Sequence, residues 1–147
     1  MIQRIQTIYL LLAAISAAMV YKLPFASISE SNEQSPLFRD GIYSVYDQFV
    51  LVAFFALICF CAIVTLFCYK NRKLQIKLSL WGAVSSALAM LLVVFLFLQD
   101  SWAKTNFSEI KDEFGLGMPF FALLFFLLAR YNTVKDEQKV QSMDRLR

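Results

Sequence analysis

Four stretches of this chain carry no charged residue: Ile5 to Tyr21 (17 residues), Gln48 to Tyr69 (22), Leu78 to Gln99 (22) and Phe114 to Ala129 (16). A bilayer span needs about 20 mostly apolar residues at a rise of about 1.5 Å each, and a charged side chain at the membrane centre costs several kcal/mol. Each stretch therefore reads as a transmembrane helix, the fourth running on to Tyr131. Phe49 to Phe67 is apolar at every position but Thr65, which excludes the alternation of a membrane-barrel strand. The chain has 147 residues, 59% of them hydrophobic, and a mean hydropathy of +0.60. A soluble domain of that size cannot hide so much apolar surface.

The expected fold is an all-α membrane protein, four transmembrane helices in one compact bundle over residues 1–147. The spans cover about 5–21, 48–69, 78–99 and 114–131. They leave an external loop at 22–47 and a cytoplasmic tail at 132–147, with no room for a second domain.

Lys and Arg near span ends are retained on the cytoplasmic side, so charge gives the orientation. One alternating set of connections holds ten basic residues: Arg4, Lys70, Arg72, Lys73, Lys77, Arg130, Lys135, Lys139, Arg145 and Arg147. The other holds only Lys22, Arg39, Lys104 and Lys111, against eight acids. Both termini are expected in the cytoplasm. The net charge of +3 is then the difference between a basic inner and an acidic outer face. It is not a nucleic-acid signature. The first run is expected to be a retained helix, because it is long for a signal-peptide core and its small-residue triplet Ser16-Ala17-Ala18 is followed by further apolar residues.

Small residues four apart occur in the first span (Ala13 and Ala17) and in the third (Gly82 and Ser86). Such spacing lets helix backbones approach closely in lipid. It predicts a tight seam between spans one and three, with the Phe- and Leu-rich second and fourth spans facing lipid or a partner. In the external loop, Asp40-Gly41 between apolar residues is a tight-turn signal, so a small hairpin and an irregular lid are both compatible with the sequence. Pro119 stands in the first turn of the fourth span, where a missing N–H leaves no bond unmade. A helix from Met118 to Tyr131 is about 21 Å long, short of the roughly 30 Å hydrocarbon core. Either Phe114 to Gly117 enters the membrane as a bent segment or the bilayer thins there.

Chemistry-bearing constellations are scarce. The chain has no histidine, which removes bis-His haem, H-E-x-x-H zinc proteases and His-based triads. Cys59, Cys61 and Cys68 share the second span and read as small hydrophobes, so no cofactor and no metal site is expected. The span hydroxyls, among them Ser16, Thr65, Ser79 and Ser86, have no base beside them and are expected to hydrogen-bond between helices. The protein is not expected to be an enzyme, and no small-molecule substrate is identifiable.

The strongest polar signals are at the basic end. Lys70, Arg72, Lys73 and Lys77 fall within eight residues between two spans, and Asp144, Arg145 and Arg147 close a Gly- and Pro-free tail. With Arg4, these are the candidate contacts for anionic lipid or for a partner, either a membrane protein complex or a cytoplasmic one. Nucleic acid enters only through a ribonucleoprotein partner. The expected role is an accessory or scaffolding subunit; the alternative is a small oligomeric channel or transporter.

The opening Met1-Ile2-Gln3-Arg4-Ile5-Gln6-Thr7-Ile8-Tyr9-Leu10-Leu11 and the closing Lys135-Asp136-Glu137, with Ser142 and Asp144-Arg145-Leu146-Arg147, resemble a Bacteroidetes family of four-span membrane proteins. It is the domain-of-unknown-function family numbered four-two-nine-three. The resemblance implies a multi-pass protein of a bacterial inner (cytoplasmic) membrane and supplies neither an activity nor site residues.

Overall fold

The computed structural model describes residues 3–28, 37, 40–104, 110–112 and 114–144. Four helices dominate it: α1 (Gln3–Met19), α2 (Phe49–Phe67), α3 (Arg72–Lys104) and α4 (Met118–Asp144). Neighbours in sequence run antiparallel. α1 packs against α2 and α4, and α3 packs against the same two helices, so α1 and α3 occupy one diagonal. The seam expected between spans one and three is therefore not formed.

The small residues serve different neighbours. Ala13, Ala17 and Ser86 are buried, and Gly82 lies under the Phe126 ring of α4, where an added Cβ would sit 2.3 Å from the ring. Close approach here accommodates a large side chain of α4. Phe126 is accordingly fully buried, as is Phe55 of α2, so those Phe-rich helices contribute to the core as well as to the outer surface.

Among the described residues three helices, Phe49–Phe67, Arg72–Gln99 and the segment Phe114–Met143, are long and apolar enough to cross a bilayer; Ile5–Met19 is apolar but shorter. Their outer surfaces are apolar where those of a water-soluble bundle are polar. Inside are Ala13, Ala17, Ala62, Ala83, Ala89, Ala122 and Ala129, while Phe49 (83% exposed), Phe67 (72%), Trp81 (66%) and Leu91 (66%) point outward. A contiguous apolar exterior of this kind marks contact with lipid or another apolar surface. The chain has the build of a multi-pass membrane protein.

The connections are set by short-range bonds. Between α2 and α3 a 3-10 turn at Cys68–Lys70 leads to Asn71, whose side-chain oxygen accepts from the Leu74 N–H at 3.3 Å and so caps α3. Ser44 and Asp47 form a reciprocal capping box over the 3-10 turn Val45–Asp47 that leads into α2.

At the acidic end the two connections meet in a three-stranded antiparallel sheet of order β2-β1-β3, made of β1 (Ala26–Ile28), β2 (Ile42–Tyr43) and β3 (Ile110–Asp112). Ala26 stands opposite Tyr43 on one side and Asp112 on the other. The fold is an all-α four-helix bundle with this small sheet at one end. Gly41 does adopt φ 73°, the left-handed conformation that its turn demands. The strand after it pairs with β1, across the intervening loop; Phe38 and Arg39, the other arm of the expected hairpin, lie outside the described residues, as does most of the polar stretch 27–35.

This sheet fills the mouth of the bundle beside the start of α4. Phe25 and Tyr43 are fully buried, with ring centroids 5.1 Å apart; Phe25 also meets Phe55 at 6.2 Å. Tyr43 stacks on Phe97 at 6.3 Å, and its hydroxyl donates to the Val93 carbonyl at 3.3 Å. Phe114–Gly117 is a bent 3-10 segment before α4, tied to the same assembly by the Gly115 N–H, which donates to the Pro24 carbonyl at 3.1 Å. Non-helical backbone is tolerated beside apolar spans where protein covers it, and these contacts provide the cover.

Candidate functional site

Six of the eight buried polar side chains among the described residues gather at one end of the bundle. α1 and α3 begin there and α2 ends there, and each of the four helices contributes: Gln6 from α1, Thr65 from α2, Gln75 and Ser79 from α3, Thr133 and Asp136 from α4, all buried. Gln6 donates its side-chain amide to the Asp136 carboxylate. Thr133, one turn before Asp136, returns its hydroxyl to the Ala129 carbonyl at 2.8 Å, and Thr65 does the same to Cys61 at 2.6 Å. Such back-bonds satisfy a hydroxyl within its own helix. Ser16 and Ser86 likewise bond to Leu12 and Gly82, so these hydroxyls are not the helix-to-helix bridges the sequence suggests.

Among the described residues, two buried polar side-chain atoms have no hydrogen-bond partner, Ser79 Oγ and Arg130 Nε. The layer thus combines a carboxylate held by a neutral amide with one buried hydroxyl, that of Ser79, that has no partner. Among the described residues no three metal-ligating side chains converge, and the three cysteines are free and half-buried.

Around this layer lie the candidate contact residues. Lys73 and Lys77 are exposed and Arg72 half-buried on the first turns of α3; Lys135 and Lys139, which the sequence does not single out as contacts, are also exposed, on α4. Arg4, Lys70 and Asp144 have backbone positions at this same end, while Arg145 and Arg147 lie outside the described residues. From the Gly82–Phe126 contact, α3 extends ten residues to its start at Arg72 and α4 extends eighteen to Asp144. The tail of α4 therefore overshoots its neighbour by about eight residues, or about 12 Å, as one uninterrupted helix. Its outermost described side chains, Gln141, Ser142 and Met143, are exposed.

Sequence reasoning places Asp136 in a solvated tail and assigns no role to Gln6 or Gln75. The available signal was spacing: Gln6, Leu10, Ala13 and Ala17, like Gln75, Ser79, Gly82 and Ser86, recur at three- and four-residue intervals, the signature of one helix face.

Comparison with known proteins finds no match among curated proteins or solved structures. Residues 2–146 match the family described as Domain of unknown function (DUF4293), which is the family that the two ends of the sequence resemble. The chain, over nearly its whole length, belongs to the DUF4293 family.

Proposed function

We propose that this is a non-enzymatic accessory or scaffolding subunit of a bacterial inner membrane, crossing it four times with both termini in the cytoplasm. In this reading it docks an acidic or ribonucleoprotein partner on its basic end. α1 is the shortest crossing: its 17 residues span about 25 Å, close to the hydrocarbon thickness. The positive-inside bias of ten basic residues against four supports the orientation.

The observation that supports docking is the juxtaposition of Lys73 and Lys77 with the projecting end of α4, which carries exposed Lys139. Anchoring on lipid needs only charge beside the span ends; a helix that continues past its neighbours adds a shaped surface. The axis of one copy is filled by Leu10, Leu51, Phe55, Ile58, Val93 and Phe126, which favours a scaffold over a channel built from a single chain.

The test is a pull-down in mild detergent comparing the natural chain with Lys73→Glu/Lys77→Glu and with a chain lacking Met143 to Arg147. The proposal expects a stoichiometric partner that is lost in both variants and released by salt. Recovery of every partner at unchanged yield and salt sensitivity would remove its basis.

A further inference from the structure

We infer that the outward face of α4 holds one anionic phospholipid from the leaflet on the basic side, with an acyl chain along the helix and the phosphate between Arg130 and Lys135. The inference rests on the membrane orientation proposed above. A groove of about 380 Å³ follows α4 along Phe120, Leu123, Leu124, Leu127, Leu128 and Tyr131. These positions recur every three or four residues, on the side of the helix opposite buried Ala122, Phe126 and Ala129. From Phe120 to Tyr131 the rise is about 17 Å, close to half of a hydrocarbon core of about 30 Å. That is the depth of one leaflet.

The groove changes character at its basic end. The Lys135 ammonium stands 6.0 Å from the centroid of the Tyr131 ring, within cation–π reach. Arg130 precedes Tyr131 by one residue and Lys135 follows it by four, so helical geometry sets the two cations on either side of the ring. Arg130 is half-buried, with its Nε enclosed by the protein, so it contributes charge rather than that N–H. A lipid phosphate supplies the charge complementary to Arg130 and Lys135, as anionic headgroups do in basic pockets at the cytoplasmic side of helical membrane proteins. A second helix is a poorer occupant. Close helix packing in lipid needs small residues at the contact, and the lining is entirely Leu, Phe and Tyr.

The full chain is reconstituted in bilayers of mixed phosphatidylcholine and phosphatidylglycerol, released, and weighed by native mass spectrometry with its retained lipid. The expected result is one retained phosphatidylglycerol per chain in preference to phosphatidylcholine. Lys135→Ala should weaken that preference about fivefold, the effect of one cation beside an anionic headgroup. Leu127→Trp, which fills the groove at an exposed position, should abolish retention, and Lys139→Ala, an exposed cation farther along α4, should leave it unchanged. Retention of both lipids in proportion to their abundance would overturn the inference. So would retention indifferent to both groove variants, or a dimer mass that Leu127→Trp converts to monomer. None of these outcomes alters the docking result, which is read on a different surface.

Discussion

The aromatic ring of Phe126 occupies the space that a side chain at position 82 would need: a Cβ on Gly82 would lie 2.3 Å from its Cε1 and 2.5 Å from its Cζ. Both residues are buried, so this pair fixes the distance between α3 and α4.

Enlarging position 82 should force the two helices apart or the ring off its rotamer, a destabilisation of about 1 to 3 kcal/mol. We expect Gly82→Val to lower the thermal midpoint in detergent and Phe126→Leu, placed in the same chain, to restore part of the loss. Equal midpoints for Gly82→Val and the natural protein, or strict additivity in the double variant, would show that the contact is loose.

A second glycine is constrained by backbone. A Cβ on Gly115 would fall 2.1 Å from the Pro24 carbonyl oxygen and 2.6 Å from that of Leu23, whereas at Gly117 the nearest neighbour is the Phe121 ring at 3.6 Å. Main-chain atoms tied into the sheet cannot yield as a flexible side chain can. Gly115→Ala should therefore detach the bent segment from Pro24, seen as faster amide exchange at residues 25, 26 and 115. Gly117→Ala should leave that exchange as it is.

The carboxylate of Asp136 depends on the amide of Gln6. Gln6→Leu leaves a buried acceptor without its donor, which costs about 1 to 3 kcal/mol and more when the group is charged. Asp136→Asn keeps an oxygen acceptor and should cost less. Replacing both by Leu removes the polar pair together and should come closer to the natural stability than Gln6→Leu alone. Thermal denaturation of these proteins and of Asp136→Leu alone, which closes the cycle with Gln6→Leu, measures the coupling, and additive losses would mean that the two side chains act independently.

How much of this was legible in the sequence varies with the range of the interaction. Charge-free runs predict a span over 48–69, and α2 occupies Phe49–Phe67, because hydropathy and helix length are properties of a single segment. The absence of Gly and Pro after Tyr131 likewise predicts the continuation of α4 to Asp144. The order of helices around the bundle was not legible. Gly82 and Ala13 announce that something comes close without saying what, and a phenyl ring can use a glycine as readily as a backbone can. Asp40-Gly41 predicts a turn, and Gly41 supplies one, but the partner of Ile42–Tyr43 is set by pairing across a long loop. Asp136 looks like any tail charge until its helix is seen against Gln6, 130 residues away in sequence.

The central claim is the orientation of a membrane-spanning bundle with its basic end in the cytoplasm, and cysteine accessibility tests it most directly. In a chain whose three native cysteines are replaced by alanine, Tyr46→Cys at the acidic end and Lys73→Cys at the basic end both place the thiol at an exposed position. With a membrane-impermeant maleimide on intact cells, the account predicts labelling at position 46 at once and at position 73 only after permeabilisation. Labelling of position 73 in intact cells with position 46 protected, or recovery of either protein in the soluble fraction, would contradict it.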